Sequence, residues 1–94
     1  MTLKFTHVPG KSKAKIKLFA LSTCGWCRKT KGFLNDLGAE YDYIDVDSLA
    51  ETEREAAVEE IKRWNPPCSF PTIVINDDSC IVGFDEEKIR RVVK

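Results

Sequence analysis

Cys24 and Cys27 stand three positions apart, where an apolar run gives way to a helix-like segment. A cysteine at a helix N-terminus sits among unpaired backbone N–H groups and at the positive end of the dipole, a setting that favours the thiolate. A second cysteine one turn later can close a disulfide with it. This predicts thiol–disulfide exchange, with Cys24 as the exposed attacking sulfur and Cys27 as the inward-facing sulfur that resolves the mixed disulfide. The same spacing also occurs in zinc sites. What separates the two uses here is the context, a strand before the pair and a helix after it.

Two later segments carry further candidate chemistry. Phe70-Pro71-Thr72 opens an apolar strand. A strand-starting trans proline ranks first for Pro71, because only about 5% of such bonds are cis in folded proteins. A cis bond would instead leave the Phe70 backbone as an edge for a cysteinyl substrate to pair with. Gly83-Phe84-Asp85-Glu86 offers helix N–H groups to an anion or peptide, or is simply a helix N-cap. Cys68 lies in a proline-rich loop and is expected near the reactive pair, whereas Cys80 opens an apolar strand and reads as a small core residue. His7 is the only histidine and lies outside the main unit, which removes Cys–His hydrolysis as a serious option.

These residues need a scaffold, and the periodicities supply one. Residues 16–21 read as a strand, with Ile16, Leu18 and Ala20 on one face and Lys15 and Lys17 on the other. Cys27, Thr30, Phe33, Leu34 and Leu37 form one helical stripe, and Gly38 suits the left-handed stop that follows. Residues 41–46 read as a strand parallel to the first, since a helix joins the two. Ser48 and Glu51 form a capping box for a helix carrying Ala57, Ile61 and Trp64 on one side. Residues 72–75 are continuously apolar, as in a central strand covered on both faces. Residues 76–79 are turn chemistry, and 80–82 return antiparallel. A last helix starting at Phe84 or Asp85 buries Ile89, Val92 and Val93. Residues 3–8 alternate well enough for an extra edge strand, or form a loose arm.

Ninety-four residues make one domain, and 43% hydrophobic with 32% charged residues describes an ordinary globular chain. No run approaches a membrane span, and the polar start is unlike a signal peptide, so a cytoplasmic location is the default. Net charge is zero, yet the eight Lys and Arg before Asp36 face no acid in that stretch. Such a block near Cys24 favours a thiolate, although a solvated basic face is its commoner meaning. Nothing interleaves aromatics with the lysines as a nucleic-acid surface would require.

The strand leading to Cys24-Gly25-Trp26-Cys27-Arg28-Lys29, the Ser69-Phe70-Pro71-Thr72 segment and the Gly83-Phe84-Asp85-Glu86 segment together resemble the glutaredoxin family of the thioredoxin superfamily. The resemblance runs from about Lys15 to Val93. It implies a thioredoxin fold: an α/β architecture with a four-stranded mixed sheet, about three flanking helices and the optional N-terminal edge strand. Residues 1–14 are then an extension and 15–94 the glutaredoxin-like domain. It also implies that Pro71 is cis and abuts the Cys24 loop. The implied activity is dithiol reduction of protein or low-molecular-weight disulfides by a monomer without a bound cofactor or metal. Thr23, Trp26, Phe70, Pro71, Gly83, Phe84 and Asp85 are the candidate substrate-binding residues. The chain departs from the usual family pattern at Gly25-Trp26, at Leu21, where a lysine commonly stands, and at Val82-Gly83. Gly83-Phe84 looks more like redoxins that draw electrons from thioredoxin reductase, so glutathione and thioredoxin reductase both stand as electron donors. An iron–sulfur or metal-binding module of the same family is the alternative.

Overall fold

A computed structural model describes residues 3–11 and 13–93. Of the expected extension and domain, residues 1, 2, 12 and 94 lie outside the described residues. In chain order the elements are β1 (Thr6–Val8), β2 (Ile16–Ala20), α1 (Gly25–Asp36), β3 (Tyr41–Asp45), a 3-10 turn (Val46–Ser48), α2 (Glu51–Trp64), β4 (Thr72–Ile75), β5 (Ser79–Val82) and α3 (Glu86–Val93).

The strands form one five-stranded sheet in the order β1-β3-β2-β4-β5. Among neighbouring strands only β2 and β3, which α1 joins, are parallel; the other neighbours are antiparallel. Alternation along the strands divides the core between the two faces. Ile16, Leu18 and Ala20 of β2 and Ile73 and Ile75 of β4 pack with Cys27 and Leu34 of α1 and Ile89 and Val93 of α3. Phe19 and Val74 point the other way, onto Ala57 and Ile61 of α2. All four residues of β4 are buried, as a strand covered on both faces should be. The turn from α1 to β3 needs Gly38, whose φ of +69° lies in the left-handed region, where a Cβ is strained.

Four local expectations are corrected. The N-terminal strand is shorter than residues 3–8 but is part of the sheet, because Leu3 and Phe5 leave the ladder to pack on the α2 side. The strand read over 41–46 stops at Asp45, where the chain enters the 3-10 turn. Ser48 does not cap α2. It ends that turn, so the helix begins after Ala50 with no side-chain cap, and Glu51 and Glu53 in the first turn with Lys62 and Arg63 in the last complement its dipole. Finally, α3 starts at Glu86 rather than at Phe84 or Asp85, since Asp85 is its capping residue: its Oδ1 accepts the Lys88 N–H at 3.1 Å.

His7 fastens β1. It faces its register partner Asp42 with Nδ1 2.6 Å from Oδ1, and its Nε2 lies 3.0 Å from Glu40 Oε2. The hydrogen bond to Asp42, and then the attraction of both carboxylates, raise the His7 pKa above its ordinary 6.5. The folded state therefore holds this proton more tightly than the unfolded chain. The stabilisation is fully present below pH 6.5 and is lost as pH rises through the higher folded value. His7→Gln should lower the urea midpoint slightly at pH 6, and by less as pH rises through that window. A difference that grew with pH would contradict the clasp.

Candidate functional site

The nucleophile's position follows from the end of β2. The chain leaves the sheet at Ala20 and makes a turn closed by the Cys24 N–H donating to the Leu21 carbonyl at 3.2 Å. Cys24 then serves as the N-cap of α1, with extended backbone (φ −83°, ψ 119°). Its Sγ accepts the Cys27 N–H at 3.3 Å, and its carbonyl accepts the Arg28 N–H at 3.1 Å. The sulfur thus takes the place that a serine or aspartate oxygen fills in ordinary caps.

Cys27 is the third residue of α1 and is fully buried, while Cys24 is half-buried; both are thiols. Burial pushes the Cys27 thiol up to about 12, and its hydrogen bond with the Cys24 sulfur adds to this. The Lys31 cation, one turn further along α1, opposes the rise. Cys27 is therefore held protonated at neutral pH. The two sulfurs are made unequal by place alone: one at the rim and one in the core.

A groove of about 230 Å³ is lined by Trp26, Phe70, Pro71, Gly83 and Phe84, and Phe70 and Phe84 share an apolar cluster with Cys24. Trp26 is 58% exposed, with the Lys29 Nζ 4.7 Å from its ring centroid and the Phe84 ring 6.1 Å away. Phe84 also meets Phe33 edge-on at 5.6 Å, so it is braced from below by α1. The Phe70–Pro71 bond is cis, which corrects the trans ranking drawn from frequency and agrees with what the family resemblance implies. The Gly83 N–H donates to the Pro71 carbonyl at 2.8 Å and ties the end of β5 to that loop; φ at Gly83 is +81°. Three larger cavities lie away from the thiols, one of them between α2 and the N-terminal arm and another along α2 alone.

Of the nine candidate residues, the structure brings Cys24, Cys27, Trp26, Phe70, Pro71, Gly83 and Phe84 to one end of the sheet. Thr23 is exposed in the turn just before Cys24. Asp85 is beside the groove in sequence, but its carboxylate caps α3. Cys68 does not join the reactive pair in the core. It has positive φ (56°) and packs against the cluster on the α2 side, whereas Cys24 and Cys27 belong to the α1 and α3 side. Cys80 is half-buried, and its S–H donates to the Trp64 carbonyl at 3.2 Å, satisfying an acceptor at the end of α2.

Three cations of the basic block are engaged in ion pairs. Lys17 pairs with Asp77 at 3.2 Å and Glu60 at 3.8 Å, Lys15 pairs with Asp77, and Lys31 with Asp45 at 2.9 Å. Arg28 and Lys29 remain in the first turns of α1 beside Cys24. Among the described residues, no group of three or more His, Cys, Asp or Glu is arranged to hold a metal ion. No helix among them is long and apolar enough to cross a membrane.

Sequence reasoning missed the brace beneath the proline. Asn65 is buried, and its Nδ2 reaches Ser69 Oγ at 2.9 Å and Thr72 Oγ1 at 3.1 Å, while Thr72 Oγ1 donates to the Ser69 carbonyl at 2.7 Å. Three polar side chains thus fix the loop that presents Phe70 and Pro71. A polar residue between Trp64 and two prolines was the available signal.

Several proteins similar to this chain are redoxins by name. The family model for Glutaredoxin matches residues 16–80. The glutaredoxin from Methanosarcina mazei Go1 is 52% identical, with 93% of this chain and 84% of that one covered, at a TM-score of 0.86. Methanoredoxin of Methanosarcina acetivorans is 46% identical over 89% of this chain and 88% of its own, also at 0.86. An uncharacterized glutaredoxin-like 8.6 kDa protein in the rubredoxin operon of Clostridium pasteurianum is 33% identical, covering 84% of this chain and 97% of the relative.

Proposed function

The chain belongs to the glutaredoxin family, and from that premise we propose that it reduces protein or low-molecular-weight disulfides by a dithiol cycle, with Cys24 attacking and Cys27 resolving. Membership supports a thiol redox function in general. The observation that carries the finer reading is the asymmetric pair: Cys24 Sγ at the rim, accepting the Cys27 N–H, with a fully buried Cys27 one turn away.

In the cycle, the Cys24 thiolate attacks one sulfur of the substrate disulfide, and the other sulfur leaves as a thiolate that takes up a proton. Cys27 then loses its proton and attacks the Cys24 sulfur, expelling the second substrate thiolate. The substrate gains two electrons and two protons, and the protein is left with a Cys24–Cys27 disulfide. Trp26, Phe70, Pro71, Gly83 and Phe84 form the surface against which the mixed disulfide lies, with Thr23 at its entrance and Asp85 behind it. Glutathione or thioredoxin reductase returns the two electrons. The protein works as a cytoplasmic monomer, with residues 15–94 as the redox domain and 1–14 as an extension.

Mixing the fully reduced protein with a model disulfide should consume one equivalent per chain and leave one intramolecular disulfide, located by peptide mapping. Supplying glutathione with its reductase, in parallel with a thioredoxin reductase system, then identifies the donor by which one sustains turnover. Reduced protein that consumes no disulfide would overturn the proposal.

A further inference from the structure

Past the end of the parallel β2–β3 pair, the register Ala20↔Asp45 brings Ser22 level with Asp47. The backbone ladder has stopped there, because one chain turns into the Cys24 loop and the other into the 3-10 turn. A side chain takes over. The Ser22 N–H donates to Asp47 Oδ1 at 2.9 Å, and the Ser22 hydroxyl donates to Asp47 Oδ2 at 2.6 Å. Both carboxylate oxygens are thus used on one residue, two positions before the nucleophile. Asp47 is itself held in place: the 3-10 turn is closed by the Leu49 N–H on the Val46 carbonyl, and Arg54 of α2 donates to the Leu49 carbonyl at 3.1 Å. Hydrogen bonds to a carboxylate are roughly twice as strong as neutral ones, so this is a firm clamp on an otherwise short, exposed turn.

We infer that Asp47 is a positioning residue for Cys24: by clamping Ser22 it fixes the turn that seats the Cys24 sulfur over the first N–H groups of α1. Ahead of the bonds that Cys24 makes into α1, the turn is held by this clamp and by the Cys24 N–H on the Leu21 carbonyl. Releasing the clamp lets residues 22–24 shift, and the Cys24 sulfur then drifts from the Cys27 N–H that it now meets at 3.3 Å. The inference rests on the reading of Cys24 as nucleophile.

The test uses the full reduced chain and its Asp47→Ala, Asp47→Asn and Ser22→Ala variants. Iodoacetamide alkylation is followed residue by residue by mass spectrometry, together with kcat and KM for disulfide reduction. Displacement of a reacting atom by a fraction of an ångström to about 1 Å costs on the order of ten- to a hundredfold. Asp47→Ala should therefore slow Cys24 alkylation and lower kcat about tenfold with little change in KM, while Cys27 stays protected. Asp47→Asn, which keeps an acceptor for the Ser22 N–H, should recover most of the rate, and Ser22→Ala should fall between the two. Unchanged Cys24 alkylation in Asp47→Ala would overturn the inference. So would a general loss of structure, read as Cys27 becoming reactive in all three variants. Alkylation is measured without any disulfide substrate, so a wild-type protein inactive in turnover would sink the oxidoreductase reading separately.

Discussion

Cys24→Ser should lose disulfide reduction by at least about a thousandfold, as enzymes do when their nucleophile is removed. The thiolate is the attacking species, whereas a serine hydroxyl is un-ionised at neutral pH and forms no disulfide. The change should not harm folding. Cys24 is half-buried and acts as the N-cap of α1, and a serine oxygen is among the preferred groups at that position. The thermal midpoint should therefore be unchanged or slightly higher while activity disappears. An active Cys24→Ser protein, measured against a disulfide substrate in either donor system, would remove Cys24 from the cycle.

Phe19→Ala should destabilise the fold by about 3–5 kcal/mol, the usual cost of emptying an aromatic site in a core. Phe19 is fully buried at the centre of the α2-side cluster, among Ile44, Val46, Ala57, Ile61 and Val74. Its ring also meets that of Phe5 edge-on at 5.5 Å, a contact worth roughly 0.5–1.5 kcal/mol beyond area. Against a typical domain stability of about 5–15 kcal/mol, that loss is large. Urea titration followed by tryptophan fluorescence would show it as a lower midpoint at unchanged slope. A loss below about 1 kcal/mol would mean that the α2 face contributes little to the core.

The parts of the molecule that were legible in sequence depend on local pattern. Thr72 to Ile75 are apolar without interruption and are buried on both faces. The spacing of Cys27, Thr30 and Leu34 puts all three on the buried stripe of α1. Gly38 stops that helix in the left-handed conformation, as its position implies. What escaped depends on contacts between distant residues. Ser48 and Glu51 have capping-box spacing, yet the chain is diverted at Val46–Ser48, where Asp47 is clamped to Ser22, 25 positions away. No window of sequence contains both partners. The isomer of Pro71 was likewise unreadable from its neighbours alone and followed only from the family resemblance. Cys68 is close to Pro71 in sequence but packs with the α2-side cluster, which proximity along the chain does not reveal.

One variant tests the unequal roles of the two motif cysteines directly. Cys27→Ser, mixed in reduced form with a disulfide of distinctive mass, removes the resolving sulfur and should accumulate a stable mixed disulfide. Intact-mass analysis should show one adduct per chain, and peptide mapping should place it on Cys24. Adduct found instead on Cys68 or Cys80, or no adduct at all, would contradict the assignment of Cys24 as the attacking sulfur.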